Sequence, residues 1–197
     1  MFIKSYQRLI FFFNRSADPR ILSMIIQLAI DDHLTTALLD VFHQYAPRDP
    51  KELYIFFEER KIIINKLARK ALISKDQIDL LLPPNQIIDL SKFEITLTCL
   101  LIIKFTDMLP PTRGWKNFPP DQNDLSISAY VLRARGLRNI FKHESVHSMT
   151  EQKFGAAMGS LRNILNGLNY ANMAGFEKVI ELCTNVQFIY SVTHATL

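Results

Sequence analysis

Arg138, Asn139 and His143 are the residues whose types and spacing could do chemistry in this chain. An arginine guanidinium can grip a phosphate through two parallel hydrogen bonds and stays charged at any working pH. A histidine five positions later can both take and give a proton near neutrality. Asn139, beside the arginine, can orient the phosphate or the imidazole. Spacing alone says little: with 11 Arg and 5 His in 197 residues, roughly one Arg-x(4–6)-His match arises by chance. An outward helical face carrying such residues is most often only solvated surface. The context of these three residues must carry the reading.

The charge is not spread evenly. The net charge is +4, and residues 126–170 alone account for it, with six Lys/Arg against two Asp/Glu. A modest positive field around Arg138 and His143 suits an anionic partner. Arg133, Arg135 and Lys142 lie within it and are the candidate contacts for such an anion.

These residues must be positioned by helices. Six glycines and recurrent Leu, Ile, Ala, Lys and Glu point to an all-α, up-and-down bundle with additional N-terminal helices. A short helix is expected over 5–14. Asp18-Pro19 reads as an N-cap with proline at the first helical position, opening a helix through Ile30. Another helix fits Thr36 to Tyr45. Asp49-Pro50 repeats the signal before one stripe of Leu53, Phe56, Phe57, Ile63 or Ile64, Leu67 and Ala71. Ser74 and Gln77 form a capping box for a helix stopped by Pro83-Pro84. Ser91 is expected to cap a helix over Lys92 to Met108.

A proline-rich connection then runs from Leu109 to about Asn123 and holds the only tryptophan, Trp115, which is expected to pin the loop to the core. The motif helix is expected from Asp124 to Lys142. Tyr130, Ala134, Leu137 and Phe141 share its inner face; Arg135, Asn139 and His143 share the opposite one, with Lys142 beside them and Arg138 on the flank. Leu132, Gly136 and Ile140 lie on or near that outer face, so it is expected to serve a homodimer, with Gly136 admitting close backbone approach. Thr150 caps a further helix bearing Phe154, Ala157, Met158, Leu161, Ile164 or Leu165, and Leu168, and one more is expected within 171–190.

The length favours one domain: N-terminal helices over 1–72, a motif-bearing core over 73–170 and a C-terminal helix or tail over 171–197. Two cysteines, Cys99 and Cys183, are too few for a disulfide framework, and a reduced, cytoplasmic protein is expected. No Cys/His cluster has zinc spacing, so neither a RING nor a zinc finger is read here. His143 and His147 are four apart, but no carboxylate or cysteine completes a metal site. No metal, no cofactor and no membrane contact is expected; the apolar stretch from Ile95 to Ile103 is too short to span a bilayer.

Several motifs occur in an order that resembles one family. They are Leu82-Pro83-Pro84-Asn85, then Asp89-Leu90-Ser91-Lys92-Phe93-Glu94-Ile95-Thr96, then Leu109-Pro110-Pro111-Thr112-Arg113-Gly114-Trp115 with Pro119-Pro120, and finally Arg138-Asn139 with His143. The chain resembles the HEPN domain of DAZ-interacting zinc-finger (DZIP-like) ubiquitin ligases and their animal relatives, most clearly from Asp76 to Leu168. The resemblance implies a bundle that often dimerises, bringing two Arg/His motifs together across a two-fold axis. It also implies a candidate metal-independent endoribonuclease, with Arg138 as the motif arginine, Asn139 its polar neighbour and His143 the motif histidine. Other members of the wider superfamily are domains without shown catalysis. A non-catalytic dimerisation or interaction module of a larger signalling, defence or ubiquitin-ligase-type protein is therefore the alternative. Lys142, before the histidine, departs from the smaller residue expected there, and no ligase module is read in this chain.

Overall fold

A computed structural model describes residues 18–143 and 145–181. Helices α1 (Pro19–Ala29), α2 (Thr35–Phe42), α3 (Pro50–Glu59), α4 (Lys61–Arg69), α5 (Lys75–Leu81), α6 (Ile95–Phe105), α7 (Ile127–His143) and α8 (Glu151–Gly167) follow in order. Residues 173–181 are also helical, and no strand occurs among the described residues. The protein is all-α. The helix expected over 5–14 lies outside the described residues, as do Cys183, Glu144 and the end of the helix expected within 171–190.

The caps explain most helix starts. Asp18 accepts from the backbone N–H of Arg20, Asp49 from those of Lys51 and Glu52, and Thr150 from that of Lys153. At α5 the Ser74–Gln77 capping box is complete.

Four expectations about element limits are corrected. The N-terminal segment does not break near Ile30: a π turn over Ile30–Leu34 joins α1 to α2. Asp31, Asp32 and His33 carry no proline or glycine to end it, and the extra turn residue buries Ile30, His33 and Leu34. The joined helix is long and apolar enough to cross a membrane by length and composition alone. Its Ile26, Ala29, Leu34 and Leu38 are nevertheless sealed in the protein core, with α1 packed on α8 and α2 on α6.

The stripe from Leu53 to Ala71 is split at Arg60, which leaves helical geometry and stacks its guanidinium 3.8 Å from the Phe56 ring centre. Ile64 rather than Ile63 is inside, and Ala71 is exposed at positive φ. Ser91 caps nothing: Asp89 caps a short 3-10 turn over Leu90–Lys92, and α6 begins at Ile95. Finally, α7 starts three residues later than Asp124, whose carboxylate is taken up by the preceding loop.

One hydrophobic core holds residues from Ile21 to Val179. Cys99 lies within it, its S–H directed at the Val131 carbonyl, and burial pushes the thiol up to about 12. That places it far from nucleophilic chemistry.

Candidate functional site

Helix α7 is seated by the side chains that its periodicity assigns to the inside: Tyr130, Ala134, Leu137 and Phe141 are all buried. Arg135, Asn139, Lys142 and His143 are exposed, so the chemical residues of its last two turns face outward. At about 100° per residue, five positions put Arg138 and His143 about 140° apart around the helix. Arg138 and Lys142 share one flank; Asn139 and His143 share the other with Arg135.

The Arg138 flank carries acids. The Arg138 side chain is only 16% exposed, and its Nη2 donates to Glu94 Oε2 at 3.0 Å. The other Glu94 oxygen accepts from Gln77 Nε2 at 3.3 Å, so the capping-box glutamine helps to place this carboxylate. Glu94 stands immediately before α6 and makes no side-chain cap there, because its oxygens are directed to Gln77 and Arg138 instead. Asp31, from the π turn, lines a cleft of about 280 Å³ with Gln27, Arg138 and Lys142. The motif arginine is thus already neutralised within its own chain.

The Asn139 flank is different. Here α6, α7 and the proline-rich loop enclose a groove of about 520 Å³, bordered by Trp115, Phe118, Lys104, Lys116, Arg135 and Asn139. No carboxylate lines it, and none of these three cations forms an ion pair among the described residues. Gly136 makes the wall possible: a methyl group there would overlap the Phe118 ring, which lies against the bare helix backbone.

The loop that forms this wall is braced at several points. Arg113 pairs with Asp121 at 3.0 Å, and Asp124 accepts from the Thr112 N–H at 2.6 Å and the Thr112 hydroxyl at 2.8 Å. Those bonds, with two more from Ser126, hold the Asp124 carboxyl far below the usual carboxylate range. Trp115 packs partly buried against the core, so it pins the loop as expected, and it also borders the groove.

Arg133 donates to the Asp121 and Gln122 carbonyls and lies over the Tyr130 ring. Its Nη2 is therefore engaged by the loop, and Arg133 is only partly exposed. Arg135 and Lys142, the other two candidate contacts, are open to solvent.

The profile of the DZIP3/hRUL138-like HEPN family matches residues 50–185. This chain belongs to that family. Comparison with curated proteins and with solved structures gave no match. The HEPN family is all-α, in agreement with the helices described here, and the match covers α3 to α8 with every motif residue named above.

Within this HEPN domain, two expectations about α7 are corrected. Leu132 and Gly136 do not belong to an outer apolar face: Leu132 is buried between elements, and Gly136 is covered by Phe118. Only Ile140 remains exposed of the three, and Phe118 is the other large apolar side chain exposed nearby. Glu94 and the groove were not assigned a role from sequence. Glu94 stood in a family motif, but the helix expected from Lys92 enclosed it, so its place just before α6 was not evident. Nothing in the spacing linked Trp115 and Lys104 to Asn139.

Proposed function

We propose that this HEPN domain binds single-stranded RNA as a homodimer and is a candidate metal-independent endoribonuclease. The observation that carries the reading is the family motif in order on an anchored helix, with Asn139, Lys142 and His143 presented to solvent. In cleavage, the ribose 2′-oxygen forms a bond to the adjacent phosphorus as the bond to the 5′-oxygen breaks. The products are a 2′,3′-cyclic phosphate and a 5′-hydroxyl. His143 takes the 2′-hydroxyl proton, a contribution of roughly 10²–10⁴ in rate, and its counterpart in a second copy returns a proton to the leaving 5′-oxygen. Arg138 balances charge on the phosphate oxygens, and Asn139 orients the phosphate. Because Arg138 and His143 diverge around α7, two copies meeting across a two-fold axis supply the convergence that one copy lacks. Unpaired RNA fits because its backbone can reach in-line geometry.

A second reading is favoured by one specific observation, the Arg138–Glu94 ion pair. With its guanidinium neutralised, the domain serves as a dimerisation or interaction module without cleavage. Labelled single-stranded RNA incubated with wild type and His143→Ala in EDTA separates the two. Cyclic-phosphate ends from wild type, reduced at least 10²-fold in the variant, support the enzyme. Equal products from both proteins, or none from either, favour the module.

A further inference from the structure

We propose that the groove between α6, α7 and the proline-rich loop is a subsite for a single-stranded polynucleotide, taking one base with its flanking phosphates. The inference deepens the RNA-binding reading above and rests on it. Trp115 and Phe118 both border the groove, and Phe118 stays 59% exposed while its ring lies against Gly136. Any base can stack on an aromatic face, because every base has one of its own. Lys104, Lys116 and Arg135 surround these rings from three separate elements, and no carboxylate among the described residues lines the groove to compensate their charge. Three cations around aromatic rings match a chain of alternating bases and phosphates.

The groove is also of ligand size, within the roughly 300–1,000 Å³ typical of small-molecule sites. Its walls are set before any ligand arrives. The Arg113–Asp121 pair, the Thr112–Asp124 bonds and the Arg133 contacts fix the loop, and Gly136 seats Phe118. Preorganisation of this kind lowers the cost of binding. Asn139 joins the groove to the motif: its amide can donate and accept at a base edge, one turn from His143. The opposite flank, where Glu94 already pairs with Arg138, offers a phosphate backbone less free positive charge than this side. A second copy packed isologously on the groove would set its cations against their own equivalents, which disfavours that occupant.

Trp115, the sole tryptophan, reports directly on occupancy. The 197-residue protein is titrated with hexauridylate, hexathymidylate and hexaglutamate, reading tryptophan fluorescence, with anisotropy of labelled oligonucleotide in parallel. Both oligonucleotides are expected to quench Trp115 and hexaglutamate is not. Lys104→Glu with Lys116→Glu, both at exposed positions, should weaken oligonucleotide binding at least about tenfold and reduce the salt dependence by about 0.7 per lost phosphate contact. Trp115→Phe, which keeps a stacking ring, should stay within a few-fold of wild type by anisotropy, whereas Trp115→Ala should lose about tenfold. Oligonucleotide binding with no quenching and no response to charge reversal overturns the groove while the RNA-binding reading stands. No oligonucleotide binding by wild type overturns both. Quenching by hexaglutamate at lower concentration than either oligonucleotide assigns the groove to acidic peptides and overturns the proposal.

Discussion

The two flanks of α7 are built from adjacent residues but differ in charge and in how they are closed. On one, Arg138 is pulled down between Glu94 and the π turn, and its partner is held in turn by Gln77. On the other, Arg135 and Asn139 open into a groove with two lysines, Trp115 and Phe118. The cation within the family motif is the one already neutralised, whereas Lys104, Lys116 and Arg135 have no acidic partner at the groove among the described residues. A contiguous sequence motif is therefore not a contiguous site: helix geometry divides it, and each half takes its electrostatics from whichever element packs beside it.

The largest effect should come from the anchor that both flanks share. Leu137→Ala removes a buried side chain from the inner face of α7 and should cost about 2–5 kcal/mol in chemical denaturation. A cost like that of a surface substitution would show the helix to be turned differently and would dissolve the comparison.

On the groove flank, Gly136→Ala forces a methyl into the Phe118 ring. That ring edge is exposed and can swing aside, and alanine gains about 0.5–1 kcal/mol over glycine in mid-helix, so the net cost should not exceed about 1 kcal/mol. Adding Phe118→Ala should recover much of it, as a double-mutant cycle would show. An additive cycle would mean that Phe118 does not lean on this helix.

His33 sits in the same π turn as Asp31, two residues on, and is buried in the core. Its Nδ1 shares a hydrogen bond with the Tyr170 hydroxyl at 3.1 Å, its ring meets Tyr170 and Phe176 edge to face, and its Nε2 has no hydrogen-bond partner among the described residues. Burial lowers its pKa below the usual imidazole value. The unfolded chain therefore binds the proton more readily than the folded one. His33's contribution to stability is complete above about pH 6.5 and is lost as pH falls through the depressed folded value, at no more than about 1.4 kcal/mol per pH unit. Thermal melts between pH 7.5 and 5.5 should show a steeper fall for wild type than for His33→Gln. Parallel curves would remove this histidine from the account.

The smallest effect tests the ion pair itself. Arg138 is 16% exposed and Glu94 52%, so solvent screens the pair from the glutamate side and it is worth about 1 kcal/mol or less. Releasing Arg138 by Glu94→Gln should raise affinity for single-stranded RNA by about two- to fivefold, with a steeper salt dependence. Unchanged affinity would mean that RNA never reaches this flank.

Much of the fold was legible because local chemistry decides helix starts. Asp18-Pro19, Asp49-Pro50, the Ser74–Gln77 box and Thr150 all cap as their side chains dictate. The inner face of α7 follows from the 3.6-residue period, since Tyr130, Ala134, Leu137 and Phe141 cannot all face water. Limits were less legible where a neighbour competes for the same group. Asp124 looked like a cap and instead ties Thr112 to Ser126, and the helix expected after Ser91 starts only at Ile95, past a 3-10 turn capped by Asp89.

By itself, then, the sequence determined an all-α HEPN chain and the helix on which Arg138, Asn139 and His143 lie, because capping and periodicity act within a few residues. Only the tertiary structure decided that Arg138 meets Glu94, 44 positions away, that Gly136 belongs to Phe118, and that Lys104, Trp115 and Asn139 border one groove. Those pairings join residues distant along the chain, and no local preference encodes them: they appear only when packing the core brings α6, α7 and the loop together.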